Sequence, residues 1–468
     1  MSQTPQAATY RPATEITALQ PDFADPVAAA DFPQTILRYR NDRAAGAVGL
    51  DKLTDAEWVA HFGRFAPLEG SLPQPLALRY HGHQFRTYNP DIGDGRGFLF
   101  GQLRDGDGRL LDLGTKGSGR TPYSRFGDGR LTLKGGVREI LATEMLEALG
   151  VDTSRTFSLI ETGEALERND EPSPTRGAVM VRLSHSHIRI GSFQRAAFHE
   201  DTALLERLNR YALTRLYRVE PGDDPAAQLL GLVVERTADL AASYMVAGFV
   251  HGVLNSDNIN VTGESFDYGP WRFTPLWEPG FTAAYFDHAG LYAFGRQAEA
   301  IHWDVAQLAM ALRALTETDP LVVQLDRFAP LYGAAMIRRF CARLGIVQTD
   351  DAPAMVEEAV RAMMTTGTPI DRFFFDWRGG TARAGSAYAD AAWGAFRDRI
   401  ASFDAIPGAR GHDYWSDADP CSMHIEEVEA IWSAIDQRDD WQPLHEKVAA
   451  IRRMGAAHAA PDTSVQFT

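Results

Sequence analysis

Asn258 and Asp267 stand nine residues apart, one closing the segment His251-Gly-Val-Leu-Asn-Ser-Asp-Asn258 and the other opening Asp267-Tyr-Gly-Pro270. Mg²⁺ takes hard oxygen ligands, and it commonly binds through one or two protein groups while substrate phosphates complete its shell. An Asn and an Asp on turns between apolar runs therefore suit a metal-bound nucleotide. Asn255, Ser256, Asp257 and Asn258 are equally good turn formers capping the end of a helix. The rest of the chain has to separate the two readings.

In protein kinases the catalytic loop His-Arg-Asp-x-x-x-x-Asn places its Asn seven residues after the His, and a second metal ligand opens Asp-Phe-Gly. Here 251 and 258 keep that spacing, and Asp-Tyr-Gly stands for Asp-Phe-Gly. Val253 occupies the place of the kinase base and accepts no proton, while a carboxylate stands instead at Asp257. Lys116 ends the strand-like run from Arg109, and Glu139 borders an apolar stripe of Val137, Ile140, Leu141, Met145 and Leu149 at helical spacing that stops at Gly150. A strand Lys held by a helix Glu is how kinases grip the α- and β-phosphates. Taken alone, Lys116 reads more readily as a surface Lys. Arg182 and Arg189 flank the end of another strand-like run and are candidate phosphate clamps. His185 and His187, like His81 and His83, read as half-buried strand residues rather than a metal pair.

These groups need a sheet and a helix behind them. Gly97–Leu103 and Arg109–Lys116 read as antiparallel strands. Three Gly-Asp-Gly-Arg tetrads begin at 93, 106 and 127, without a fixed period. The tetrad at 106–109 is best explained as a hairpin turn alone; glycines in the others would also let backbone amides approach a phosphate. A polar insert spans 167–176. The pattern becomes helical from Asp201, with a long apolar stretch over Leu229–Leu254 and a strong helix over 300–315. Residues 373–395 form an aromatic-rich turn region read as packing, two amphipathic helices follow over 426–454, and the tail after Ala456 reads as loose.

The chain has 468 residues, 45% hydrophobic and 23% charged, and a net charge of -16. That length allows two or three lobes. The acidic balance argues against nucleic acid and anionic membranes as partners, because non-specific binding to either draws on clustered Lys and Arg. With two cysteines, Cys341 and Cys421, no disulfide framework or Cys-rich zinc site forms. No apolar run approaches a membrane span and Met1–Pro26 does not read as a secretory signal, so the expectation is a soluble cytoplasmic protein; a monomer is expected.

The chain resembles the SelO (selenoprotein O, YdiU) pseudokinases, which work as protein adenylyltransferases. The resemblance covers roughly Leu76–Gln297. It is carried by Gly82-His-Gln-Phe85, Gly93-Asp-Gly-Arg96, Lys116-Gly-Ser-Gly-Arg-Thr-Pro-Tyr-Ser-Arg125, Gly127-Asp-Gly-Arg130, Val137-Arg-Glu-Ile140, Ser186-His-Ile-Arg189, the 251–258 segment and Phe266-Asp-Tyr-Gly-Pro270.

The resemblance implies an α+β, protein-kinase-like two-lobed fold. A mixed β/α N-lobe (76–190) and a mainly helical C-lobe (191–330) would lie between helical extensions at 1–75 and 331–468. It implies that Gly93, Gly95, Arg96, Lys116, Asp128, Gly129, Arg182, Arg189 and Asp267 contact ATP, that Asn258 and Asp267 ligate Mg²⁺ (with Mn²⁺ as the alternative ion), that Glu139 positions Lys116, and that Asp257 is the base. ATP is expected to lie reversed relative to kinases, so that its α-phosphate is attacked. The implied reaction moves AMP from ATP to Ser, Thr or Tyr hydroxyls of proteins, the enzyme itself included, and releases pyrophosphate. The alternatives are an inactive nucleotide-binding scaffold and a conventional kinase. The chain departs from the family pattern at Arg86 (usually Gly), at Tyr88–Asp91, and at Gly135-Gly136 (usually a Ser pair). Its Ser464–Thr468 end lacks the Cys or selenocysteine of some members, so redox control through that residue is not expected.

Overall fold

The structure, a computed structural model, describes residues 8–169, 171–383 and 387–459. The order of strands is β1 (Pro12–Ala13), β2 (Ala24–Pro26), β3 (Ile36–Arg40), β4 (Leu76–Leu78), β5 (Gly82–Gln84), β6 (Thr87–Asn89), β7 (Leu99–Arg104), β8 (Leu110–Lys116), β9 (Leu131–Thr132), β10 (Arg155–Leu166) and β11 (Thr175–Ser184). The main sheet is antiparallel in the order β2-β4-β7-β8-β11-β10-β3, with β1 added to β7 and β9 to β11, while β5 and β6 form a separate hairpin. β7 and β8 are buried almost throughout because both faces of the sheet are covered. Between them Asp105 accepts the N–H groups of Asp107 and Arg109 and Gly108 turns at φ +77°, so the middle tetrad is a hairpin turn as expected.

The first 75 residues differ from a purely helical extension. Besides helices α1 (Asp42–Ala47) and α2 (Asp55–Phe62) they supply β1, β2 and β3. Strands of two or three residues carry no periodicity of their own. Their positions are set by distant partners, Leu103 opposite Pro12 and Leu78 opposite Ala24. α2 seals one face of the sheet: Trp58 stacks on Phe157 at 4.9 Å, and Phe62 packs edge-on against the same ring at 5.2 Å. Burying each such ring contributes about 2–3 kcal/mol.

The other face holds helix α3 (Leu133–Ala148), which starts where the Thr132 hydroxyl accepts the Gly135 N–H at 3.1 Å. Gly136 lets it lie close to β10, since a Cβ there would sit 2.3 Å from Leu159. Val137, Ile140, Leu141 and Met145 share one core with Leu159 and Met180. The C-terminal helices Ile425–Arg438 and Gln442–His458 join that core through Ile431, Leu444 and Ile451, matching the two amphipathic helices expected there.

The helical half begins at α4 (Ile190–Phe198), ahead of Asp201, which caps α5 (Thr202–Tyr211). α6 (Pro225–Ala247) is capped by Asp224 and stops at Gly248 with φ +69°. It therefore ends before Leu254, and the chain enters β12 (Phe249–Val250), which pairs with β13 (Arg272–Phe273). That two-stranded clamp closes the loop 251–271 at its base. α7 (Gln297–Leu312) packs beneath it. Helices continue to Asp376, where Phe373, Phe374, Trp377 and Trp393 fill a second core. The aromatic segment does pack, although its first residues extend the helix Ile370–Asp376. The last helix runs to His458; Ser464–Thr468 lies outside the described residues, as do residues 1–7. No helix among the described residues is long and apolar enough to cross a membrane.

Candidate active site

Lys116 is the last residue of β8, 3% exposed, with its ammonium 2.6 Å from Glu139 Oε2 and 2.9 Å from Asp267 Oδ1. Glu139 lies one turn beyond Gly136, so the close seating of α3 on the sheet brings its carboxylate to the strand end. Arg182, on β11 opposite Gly114, adds a contact to Glu139 at 3.3 Å and to Asp267 at 3.6 Å. Arg189, at the start of α4, donates to the Asp257 carbonyl at 2.9 Å and lies 3.9 Å from Asp267 Oδ2. Residues distant in sequence thus converge on one carboxylate.

The loop carrying Asp257 and Asp267 is tied internally. The His251 N–H donates to Gln297 at 3.0 Å, and His251 Nε2 lies 3.0 Å from the Phe266 carbonyl. Burial keeps the His251 imidazole below its usual basicity, which suits a neutral structural role. Asn258 donates to the Val253 carbonyl at 3.0 Å, a bond that leaves its amide oxygen for another partner. Asp267 sits at φ +61°, an uncommon conformation for Asp that aims its carboxylate at Lys116.

The two aspartates differ electrically. Burial alone would raise Asp267, but Lys116, then Arg182 and Arg189, outweigh it and hold the carboxyl well below the usual range. Asp257 is 7% exposed, and burial, only partly offset by Arg189, pushes its carboxyl up to about 6. Its Oδ1 is buried with no hydrogen-bond partner. One carboxylate is thus firmly ionised, while the other can take up a proton near neutrality.

These residues line a cleft of about 690 Å³, within the range of small-molecule and cofactor sites. Gly93, Gly95, Arg96, Lys116, Asp128, Gly129, Arg182, Arg189, Asp257 and Asp267 all face it; Glu139 stands behind Lys116, and Asn258 lies outside the lining. The glycines have a packing reason. A Cβ at Gly93 would meet the Tyr123 ring at 2.5 Å, and one at Gly129 would meet the Gly119 carbonyl at 2.2 Å, so both bring the loops of the cleft wall together. Asp128 accepts the Arg130 N–H at 2.9 Å and pairs with Arg168 at 2.8 Å.

Several cleft residues carry no role that a sequence reading assigns, although some stand inside the motifs. Asp94, buried between the two glycines of its tetrad, accepts the Leu78 N–H at 3.0 Å and faces Arg189 at 3.4 Å. Tyr80 and Phe266 sandwich the Arg189 guanidinium at 4.4 and 4.8 Å. Arg168, from the polar insert, Arg125 and Arg130 complete a lining of seven cationic against five acidic side chains, in a protein whose net charge is -16. Only the tetrads themselves hinted at Asp94 and Arg130.

That lining fits a polyphosphate. The buried Nε groups of Arg182 and Arg189 have no partner in the protein and are donors awaiting an acceptor. Among the described residues no three His, Cys, Asp or Glu side chains gather to hold a metal unaided. A carboxylate and an amide oxygen fit a Mg²⁺ whose remaining ligands come from phosphate and water. His187 Nδ1 faces Asp112 at 3.4 Å instead of a second His.

The family model described as protein adenylyltransferase SelO matches residues 6–391. A protein nucleotidyltransferase YdiU of Synechocystis sp. is 41% identical over 477 residues, covering 95% of this chain and 98% of its own. Another of that name from Gloeobacter violaceus is 43% identical over 465 residues, covering 95% of each chain. A third, from Trichormus variabilis, is 41% identical over 473 residues, covering 95% and 96%. With the motifs converged on one cleft and the match running along nearly the whole chain, the protein belongs to the SelO family.

Proposed function

We propose that this protein transfers AMP from ATP to Ser, Thr or Tyr hydroxyls of proteins, with the nucleotide held between a kinase-like sheet lobe and a helical lobe. The observation that carries the reading is the pairing of Asp267, ringed by Lys116, Arg182 and Arg189, with an unpartnered Asp257 in the same cleft. The family description and the names of the relatives, adenylyltransferase and nucleotidyltransferase, support it.

In this reading Asp257 accepts the proton of the acceptor hydroxyl. The hydroxyl oxygen attacks the α-phosphorus, its bond to the bridging oxygen breaks, and pyrophosphate leaves. Lys116, fixed by Glu139, and the guanidinium groups of Arg182 and Arg189 neutralise the leaving phosphates, the kind of preorganised charge that dominates such reactions. Arg96 and the Gly93–Gly95 and Asp128–Gly129 turns hold the remaining phosphates and ribose-side oxygens. Asn258 and Asp267 would hold Mg²⁺ or Mn²⁺, which supplies further charge neutralisation when bound. Val253, offering only its carbonyl to Asn258, disfavours γ-phosphoryl transfer of the kinase type. The expected setting is a reducing compartment such as the cytoplasm, which suits two free cysteines.

Incubation with ATP labelled at the α- or the γ-phosphate tests the reading. Retention of α label on protein, with a mass gain of one adenylate, is expected. Retained γ label points to a kinase, and retention of neither to a scaffold.

A further inference from the structure

The β5–β6 hairpin ends in a two-residue turn, Phe85-Arg86, with Gln84 paired to Thr87. Both turn residues are left-handed, φ +50° and +62°, a conformation that favours Gly or Asn. The cleft loop holds the turn in place. The Phe85 N–H donates to Asn255 Oδ1 at 3.0 Å, and the Tyr292 hydroxyl donates to the same oxygen at 2.7 Å. His83 N–H donates to Ser256 Oγ at 2.8 Å. Asn255 therefore ties the hairpin and the segment around 285–292 to the loop that carries Asp257.

What this anchoring presents is apolar. Phe85 is 37% exposed, Phe286 41% and Tyr285 79%. Their rings form one chain of contacts, Phe85 to Phe286 at 5.8 Å and Phe286 to Tyr285 at 5.1 Å. The cation next to Phe85 in the chain is already paired: Arg86 meets Glu299 at 3.0 Å and lies over Trp303 at 5.3 Å, while Glu299 is also bound by Arg296. Asp287, beside Phe286, is buried and turned to the Leu291 and Tyr292 N–H groups, so the exposed rings themselves suit an uncharged side chain. It is also close to the chemistry. A Cβ on Gly82 would lie 2.8 Å from Asp257 Oδ1, and Gln84 lines the cleft. Three residue steps of roughly 3.3 Å each lead from Gly82 to Phe85.

We propose that Phe85, Tyr285 and Phe286 select the acceptor by docking an aliphatic or aromatic side chain that lies about three residues from the modified hydroxyl in an extended segment. The proposal rests on the adenylyl-transfer reading, with the hydroxyl at Asp257. Clustered exposed aromatics rigidly held at a site's rim are the form that protein-recognition surfaces take.

The probe is a synthetic peptide library carrying one Tyr, Ser or Thr with flanking positions varied, incubated with α-labelled ATP and full-length enzyme. Wild type is expected to favour aliphatic or aromatic residues at one position two to four residues from the acceptor by at least about tenfold. Tyr285→Ser/Phe286→Ser is expected to lose that preference while the KM for ATP stays unchanged. Phe85→Ser, which keeps the backbone bond to Asn255, is expected to do the same. Uniform labelling by wild type, selection unchanged in both variants, or labelling of proteins but of no peptide overturns the proposal. Absence of α label on every acceptor, protein included, refutes the transfer reaction itself.

Discussion

Replacing Lys116 by Met removes a cation that lies 2.6 Å from Glu139 and 2.9 Å from Asp267. Glu139 is 1% exposed, so its charge cannot turn to water, and Arg182 at 3.3 Å is left as its partner. Removing one member of a buried pair costs about 3–5 kcal/mol, most of it the penalty of the stranded charge. With Arg182 still present, the lower end of that range, about 3 kcal/mol, is expected. Glu139→Gln alone should cost less, about 1–2 kcal/mol, because Lys116 keeps Asp267. In the Lys116→Met/Glu139→Gln double variant the stranded charge is gone, and stability should return to within about 1 kcal/mol of Glu139→Gln. The coupling is then about 2 kcal/mol, well outside the additivity of independent sites. Adenylyl transfer should behave differently. It falls about 10²–10³-fold with Lys116→Met and stays low in the double variant, since the phosphates still lack their cation. Urea unfolding followed by tryptophan fluorescence reads the first quantity, and retained α label at saturating ATP the second. Additive stability losses, within about 0.5 kcal/mol, would refute the buried pair; recovery of transfer in the double variant would refute the assigned role of Lys116.

Gly136→Val should destabilise the fold by about 1–3 kcal/mol through the clash with Leu159, and Leu159→Ala in the same chain should relieve it; a second loss on top of the first contradicts the seating of α3. Asp257→Asn should abolish transfer while leaving ATP binding within about threefold by calorimetry, because the side chain acts on the acceptor proton. Glu264 gives a pH prediction. Burial, with Asp152 adding to it, pushes its carboxyl up to about 8 from 4.5, so the folded state binds more protons than the unfolded state in between. Its contribution to stability therefore declines as pH rises from about 4.5 to about 8, with a slope of at most about 1.4 kcal/mol per unit, and is constant beyond. Glu264→Gln, which keeps an acceptor for the His185 N–H, should gain on wild type across that window in urea midpoints; a pH-independent difference refutes the reading.

Local code was enough for part of this molecule. The spacing of Val137, Ile140, Leu141 and Met145 dictates a one-faced helix wherever it packs, and α3 stops at Gly150 because glycine tolerates φ +78°. The run up to Lys116 is a strand, and the order Lys116, Glu139, Asn258, Asp267 is legible along the chain. What escaped is non-local. β1 and β2 exist only because the backbones of Leu103 and Leu78 offer them partners. Asp94 becomes a buried acceptor through Leu78 and Arg189, and Tyr80 meets Arg189 only across the folded cleft. The departure at Arg86 is intelligible only once Glu299 and Trp303 hold its side chain. Periodicity, caps and turn residues act over a few positions and are written in sequence. Burial, pairing and the opposite proton affinities of Asp257 and Asp267 depend on which distant groups share a low-dielectric space, and the tertiary structure alone decides that.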